Sequence, residues 1–258
     1  GHSGGESETV IGEWLKSSGK RDDVLIATKV GMLPGEGGEK LAPARIAAAC
    51  EASLKRLGTD RIDLYYAHQD DDSVAQEDAL AAFGKLVDAG KIRVVGASNF
   101  HAGRLKSAVD VGKAVDNLPR YHVLQPEYNL VSRTKFEGEL QDYCIQENIG
   151  VLPYYGLASG FLTGKYRSKD DLGKSVRGGR MKDLLDGKGP DVLAAMDVVA
   201  EETGASLAQI ALAWLIAQPG VTAPIASATS VDQLEESMGA ITLDLTRDQL
   251  DRLTASGA

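Results

Sequence analysis

A chain of 258 residues, 43% hydrophobic and 25% charged, carries enough apolar material for one large core or two small ones and does not have the composition of a disordered protein. Its formal net charge of −9 comes with no compensating stripe of Lys and Arg, so nucleic acid is excluded as the expected partner and a small molecule takes its place. No apolar run approaches the ~20 residues of a membrane span and no secretory pattern is visible, so the expectation is a cytoplasmic protein with no membrane partner. Cys50 and Cys144 lie far apart and fit no metal-ligand spacing, which reads as two reduced core thiols and no bound metal.

Taken in chain order, the pattern alternates. The opening segment "GESETVIGEWLKSSGK" has helical periodicity, and "VLIATKV" (24–30) is the first strand-like run, apolar enough to predict cover on both faces. "APARIAAACEASLKRLG" (42–58), with Pro near its start and Gly at its end, predicts a helix. Strand-like runs follow at 62–68, 92–98, 122–128, 150–155 and 221–227. Between and after them the helical period returns in "AQEDALAAFGKLVDAG", "HAGRLKSAVDVGKAV", "TKFEGELQDYCIQENI", "GPDVLAAMDVVAEETG", "SLAQIALAWLIAQPG" and a helix beginning near Val231. Residues 159–189, rich in Gly, Lys and Arg, form the only big loop of this reading, of the length that lids and binding loops have.

Strand and helix alternation specifies a parallel sheet, either doubly wound or closed into a (β/α) barrel. A dinucleotide fold of the doubly wound kind would show GxGxxG after a strand, and the chain has none. Moreover, nearly every strand-like run gives way near its C-terminal end to a hydrogen-bonding side chain: Lys29, His68, Ser98 with Asn99, Gln125, Tyr154 with Tyr155, and Ser227. In a barrel such ends converge on one mouth, which favours the (β/α)8 TIM barrel. Only six strands are readable, and an open sheet would leave apolar edges exposed, so the expectation is one barrel domain over 1–258 whose first two strands precede Gly1.

Lys29 is an ammonium in an apolar run, where it either pairs, has its pKa lowered, or simply reaches solvent at the strand end. His68 ends the next strand, so neighbouring parallel strands would set the two side by side; alone it reads equally as a hydrogen-bonded core histidine. Ser98 and Asn99 suit an amide-bearing ligand or the N-cap of the following helix. Gln125 needs partners from backbone or ligand, and Tyr154 offers a flat ring to a ligand or to the core. Gly156, Gly160 and Gly164 with Lys165 suit close backbone approach to phosphates or a merely flexible loop. Ser227, Thr229 and Ser230 precede a helix, where they would attract an anion or cap it.

Together "ATKVG", "DLYYAHQDD", "GKIRVVGASNF", "LQPEYNL", "YYGLASGFLTGKY" and "PIASATSVDQLEES" resemble the aldo-keto reductase family over essentially the whole chain. The resemblance implies a (β/α)8 barrel that binds NADP(H), or NAD(H), and interconverts a small-molecule carbonyl substrate and its alcohol. It implies that Lys29 is the catalytic lysine, tuning a tyrosine acid, and that His68 orients the carbonyl. Ser98, Asn99 and Gln125 would hold the nicotinamide carboxamide and Tyr154 would stack on its ring. Tyr155, Gly156, Leu157, Ala158, Gly160, Leu162, Gly164 and Lys165 would grip the pyrophosphate. Ser227, Ala228, Thr229, Gln233, Glu236 and Ser237 would line the adenosine end.

Two departures shape the expectations. The family's tyrosine and aspartate belong to a segment preceding Gly1, and neither Tyr65 nor Tyr66 occupies that motif, so these residues alone are expected to give no carbonyl reduction. Ser227, Thr229 and Gln233 stand where many relatives carry a cation for the 2′-phosphate of NADP, which opens NAD or dual use. Gln69, Asp70, Asp71 and Arg133 are candidates for substrate contact. The alternative to an enzyme is a cofactor-binding regulatory or interaction subunit of the same fold; a phosphate-handling barrel of another kind is the weaker third reading.

Overall fold

Five parallel strands alternate with helices along the chain in the computed structural model, which describes residues 4–174 and 178–257. The chain divides into two compact units, residues 1–125 and 126–258.

In the first unit α1 (Glu6–Ser18) is stopped by Gly19, whose left-handed backbone (φ 67°) turns its N–H onto the Leu15 carbonyl. Then come β1 (Ala27–Val30), α2 (Pro43–Leu57), β2 (Ile62–Ala67), α3 (Gln76–Asp88), β3 (Ile92–Ser98), α4 (Ala102–Ala114) and β4 (Val123–Gln125). Proline in the first turn of α2 loses no helical hydrogen bond, and Gly58 closes it as expected. The strands lie in chain order, β1-β2-β3-β4, all parallel, with Lys29 opposite Tyr66, Tyr66 opposite Gly96 and Ser98 opposite Gln125. Ile62, Tyr65 and Ala67 of β2 with Val95 and Ala97 of β3 are buried, as are Ile46, Leu80, Phe83 and Leu105 of the covering helices. At the N-terminal end of the sheet the buried Asp63 accepts hydrogen bonds from Arg21 and from the Ile26 N–H, both at 2.8 Å, and faces Arg93 at 3.0 Å. The 24–30 run is covered on one side only: Ile26 and Val30 are buried while Leu25 is 83% exposed, because successive side chains of an extended run alternate between faces.

The second unit holds α5 (Glu139–Gln146), β5 (Gly150–Val151), α6 (Lys182–Asp186), α7 (Gly189–Thr203), α8 (Leu207–Ile216), α9 (Val231–Met238) and α10 (Arg247–Ser256). Reciprocal capping boxes start α8 (Ser206 with Gln209) and α10 (Thr246 with Gln249). Trp214, Tyr128, Phe136, Phe161 and Tyr166 fill its core. The expected big loop, 159–189, is largely built of short 3-10 turns and α6; residues 175–177 of it lie outside the described residues.

The 24–30 run keeps only Ala27–Val30 as strand, and the last three expected strands keep three residues or fewer, each with a proline inside its run. The 122–128 run stops at Gln125 before Pro126, the 150–155 run stops at Val151 close to Pro153, and 221–227 keeps only the parallel bridge Val151–Val221, with Pro224 inside it. Proline brings no N–H to a ladder but keeps its carbonyl. Accordingly the Pro126 and Pro153 carbonyls still accept, from the Tyr154 N–H at 2.9 Å and the Ile225 N–H at 2.8 Å. Among the described residues no helix is long and apolar enough to cross a membrane, and no group of His, Cys, Asp and Glu could hold a metal ion.

Candidate active site

The C-terminal ends of the four strands in the first unit carry Lys29, His68, Ser98 with Asn99, and Gln125 in succession. Parallel registry makes this placement, since Lys29 pairs with Tyr66 and the His68 N–H bonds the Val30 carbonyl at 2.7 Å. Both side chains are half-buried. Burial lowers the Lys29 pKa, because the ammonium has lost water without gaining a carboxylate that would restore it. Burial and then the charge of Lys29 pull His68 down to about 4. The two groups therefore feel one another, and His68 is a neutral imidazole at pH 7, able to donate one ring N–H.

Under them lies a residue that strand-end reasoning passed over. Tyr66 is fully buried, and the Lys29 amine sits 5.6 Å from its ring centroid, the geometry of a cation–π contact. The ring fits because its cross-strand neighbour is glycine: a Cβ on Gly96 would come within 2.5 Å of Tyr66 Cδ1. Burial pushes the Tyr66 hydroxyl up to about 12; the Gln125 side chain tempers that rise, but no hydrogen bond of regular geometry closes between them. The available signal was parity, since Tyr66 and His68 are two apart and point to one face of β2.

Ser98 donates its hydroxyl to the Gln125 carbonyl at 2.8 Å, joining the ends of β3 and β4. Asn99 takes a left-handed backbone (φ 57°) and donates its amide to the His68 carbonyl at 2.9 Å. Helix α4 is capped by His101, whose Nδ1 accepts from the Arg104 N–H, so neither Ser98 nor Asn99 serves as its cap. Of the residues first considered for substrate contact, Gln69 donates to the Gly31 carbonyl at 3.2 Å, Asp70 is held by Arg104, and Asp71 is buried and accepts from Ser73 and the Leu41 N–H.

The second unit brings together the segment from Tyr154 to Lys165. Tyr154 meets Tyr155 edge to face at 5.0 Å, and Tyr155, Ala158 and Ser159 all hold left-handed φ angles of 47–58° that non-glycine residues rarely take. Gly156 packs against Leu212 and Leu215, and the side chains of Ala158 and Leu162 are buried, so these residues present backbone. Leu157 is half-buried and starts the turn, its carbonyl accepting from Gly160 at 2.8 Å. Gly160 (φ 95°) lies against Lys165: a Cβ there would stand 3.0 Å from the lysine amine. Gly164 (φ 77°) ends the turn and Lys165 is exposed.

Further along the same unit Ser227, Ala228, Thr229, Gln233 and Glu236 are exposed and Ser237 is half-buried. Ser230 caps α9, accepting from the Gln233 N–H at 3.2 Å, and the Gln233 side chain accepts from both the N–H and hydroxyl of Thr229 at 3.0 Å. Arg133 is bound elsewhere, gripping Glu137 with two nitrogens at 2.7 and 2.9 Å, donating to the Thr254 carbonyl and lying over the Trp214 ring.

Each unit by itself has groups of a kind that suits part of a nicotinamide dinucleotide: in the first, neutral amide and hydroxyl groups at the strand ends suit a carboxamide, and in the second, a strained, glycine-bearing turn beside an exposed lysine suits an anionic diphosphate.

Comparison with known proteins agrees. The family described as "Aldo/keto reductase family" matches residues 3–258. The chain is 33% identical to the aldo-keto reductase yakc [NADP(+)] of Schizosaccharomyces pombe over 93% of this chain and 72% of that one. It is 32% identical to a probable voltage-gated potassium channel subunit beta of Arabidopsis thaliana over 93% of this chain and 75% of that protein. It is 31% identical to the L-glyceraldehyde 3-phosphate reductase of Escherichia coli over 92% of this chain and 71% of that protein. Alternating parallel strands and helices are the repeat of the family's (β/α)8 barrel. The chain belongs to the aldo/keto reductase family and is an NAD(P)-dependent oxidoreductase.

Proposed function

We propose that the protein reversibly reduces aldehydes or ketones to alcohols, with Lys29 and His68 as its catalytic residues in this chain. The observation that carries the reading is the mutual electrostatics of those two groups at adjacent strand ends, each displaced from its ordinary pKa by burial. When bound, the nicotinamide supplies the hydride that reaches the carbonyl carbon. His68, neutral, donates its ring N–H to the carbonyl oxygen and fixes its direction. The role of Lys29 is to lower the pKa of a tyrosine acid, which the family likeness calls for and no motif of this chain supplies, and that tyrosine protonates the same oxygen. Ser98, Asn99 and Gln125 orient the carboxamide; in the second unit Tyr154 offers its ring, Tyr155 to Lys165 hold the diphosphate, and Ser227 to Ser237 receive the adenosine.

In the full-length protein Lys29→Met and His68→Gln are each expected to lower kcat/KM for a carbonyl by about 100-fold or more, with dinucleotide affinity kept within about threefold by fluorescence titration. Unchanged turnover in both variants refutes the assignment. NADP(H) is the cofactor named for the yeast relative. For this chain we propose dual use of NADP(H) and NAD(H), because Asp232, Glu235 and Glu236 charge α9 negatively and it contains no Lys or Arg. The name of the Arabidopsis relative supports a second reading, a cofactor-binding subunit without significant turnover. Dinucleotide binding with no carbonyl reduced by the full-length protein would select it. We place the protein in the cytoplasm on its composition.

A further inference from the structure

Tyr66 reaches from β2 to both neighbouring sides of the sheet, beneath the two groups proposed for the chemistry. It stands two residues before His68, on the same face of the strand, and opposite Lys29 of β1 in the parallel register. On the other side its partner in β3 is Gly96, over which the ring lies: a Cβ at Gly96 would come 2.5 Å from Tyr66 Cδ1 and 2.6 Å from Cε1. The hydroxyl end lies beside the Gln125 side chain at the end of β4. The ring is fully buried, so neighbours on every side hold it in one place.

Each end of this side chain meets a polar group in need of a partner. The Lys29 amine is 5.6 Å from the ring centroid, and no carboxylate among the described residues compensates its burial. Glu8 is engaged on the opposite face of β1, where it accepts from the Thr28 hydroxyl and from Arg56. The titratable groups that face the amine are Tyr66 and His68, both from β2. The negative face of an aromatic ring favours an ammonium over a neutral amine, more so where water is excluded. At the far end the Tyr66 hydroxyl is enclosed and closes no hydrogen bond of regular geometry. A phenylalanine would fill nearly the same volume without burying that polar atom, and the group beside the hydroxyl is the Gln125 amide, itself 6% exposed.

Resting on the reductase reading, we propose that Tyr66 is a positioning residue shared by Lys29 and Gln125: its ring face holds the ammonium, and its hydroxyl holds the amide that orients the nicotinamide carboxamide. One confined ring thereby sets the spacing between the charge that tunes the acid and the amide that places the cofactor.

The test compares the full-length protein with Tyr66→Phe, Tyr66→Leu and Tyr66→3,4,5-trifluorophenylalanine, the last of which keeps the phenyl shape and weakens the negative face of the ring. The Lys29 pKa is read by competitive acetylation with mass spectrometry and NADPH affinity by fluorescence titration, neither of which needs turnover. Lys29 is expected to titrate in Tyr66→Phe within about 0.3 pH units of the native protein, and about one pH unit lower in the trifluoro and Leu variants. NADPH should bind about fivefold more weakly to Tyr66→Phe, with no further loss on fluorination. The alkaline limb of kcat for carbonyl reduction should move to lower pH in the order of the Lys29 shifts. Should Tyr66→Leu fail to fold, the Phe and trifluoro variants decide alone, because both preserve the ring. A Lys29 that titrates alike in the Phe and trifluoro variants, or NADPH affinity untouched by Tyr66→Phe, overturns the proposal whether or not the enzyme turns over. Both shifts present, with no carbonyl reduced by any of the proteins, support the role of Tyr66 and overturn the reductase reading.

Discussion

In the role proposed for it, His68 links catalysis to acid stability. Folded, its imidazole holds a proton only below about 4, whereas an unfolded histidine does so below ~6.5. Between those values the unfolded chain binds more protons, so the contribution is complete above the unfolded pKa and is lost as pH falls toward the folded one. Urea midpoints measured from pH 7 to 4 should therefore decline, and His68→Asn should flatten part of that decline; identical slopes in both proteins contradict a buried neutral imidazole. At this scale the sequence was informative about strand ends and uninformative about what lies beneath them. Lys29 and His68 stood out because they break apolar runs. Tyr66 did not, since an aromatic residue in a strand is ordinary, and only the cross-strand partner Gly96 explains its position. Arg133 looks available in the sequence until its partners are known: Glu137 is only four residues on, but the Thr254 carbonyl lies 121 residues away in the chain.

Among the elements, β3 carries a sharp constraint on its composition at Gly96. A methyl on Gly96 has no room beside the Tyr66 ring, and neither a central strand nor a fully buried ring can move freely. Gly96→Ala should destabilise the protein by about 1–3 kcal/mol, read as a fall in the denaturation midpoint, and Gly96→Ala with Tyr66→Leu should recover part of it. A silent single variant would mean the ring is not confined. Helix boundaries were legible because caps and glycines mark them locally, as in α2 and α8. Strand lengths were not. Apolar character continues through Pro126, Pro153 and Pro224, while the regular strands end before them and only single bridges and carbonyl contacts go on, so a reading weighted to hydrophobicity carried the strands too far.

For the whole molecule the net charge of −9 sets the field that an anionic cofactor must enter, and Asp232, Glu235 and Glu236 of α9 contribute to it. The NADPH to NADH ratio of kcat/KM is expected to lie below about 10 and to rise with Gln233→Arg; a native ratio above about 100 contradicts dual use. Family and fold class were legible from six short segments spread along the chain, since their order and spacing constrain one another. The division of the core between two units was not, because it depends on which contacts close within 1–125 and which within 126–258.

Each unit also carries one of the two tryptophans, in opposite surroundings. Trp14 on α1 is 44% exposed, whereas Trp214 is fully enclosed with its indole N–H on the Thr254 hydroxyl at 3.0 Å. The molecule thus contains two natural fluorophores of different colour, a red-shifted, quencher-accessible one in the first half and a blue-shifted, shielded one in the second. Emission recorded at both edges of the spectrum during denaturation reads, without any label, whether the halves come apart in one cooperative step or in two.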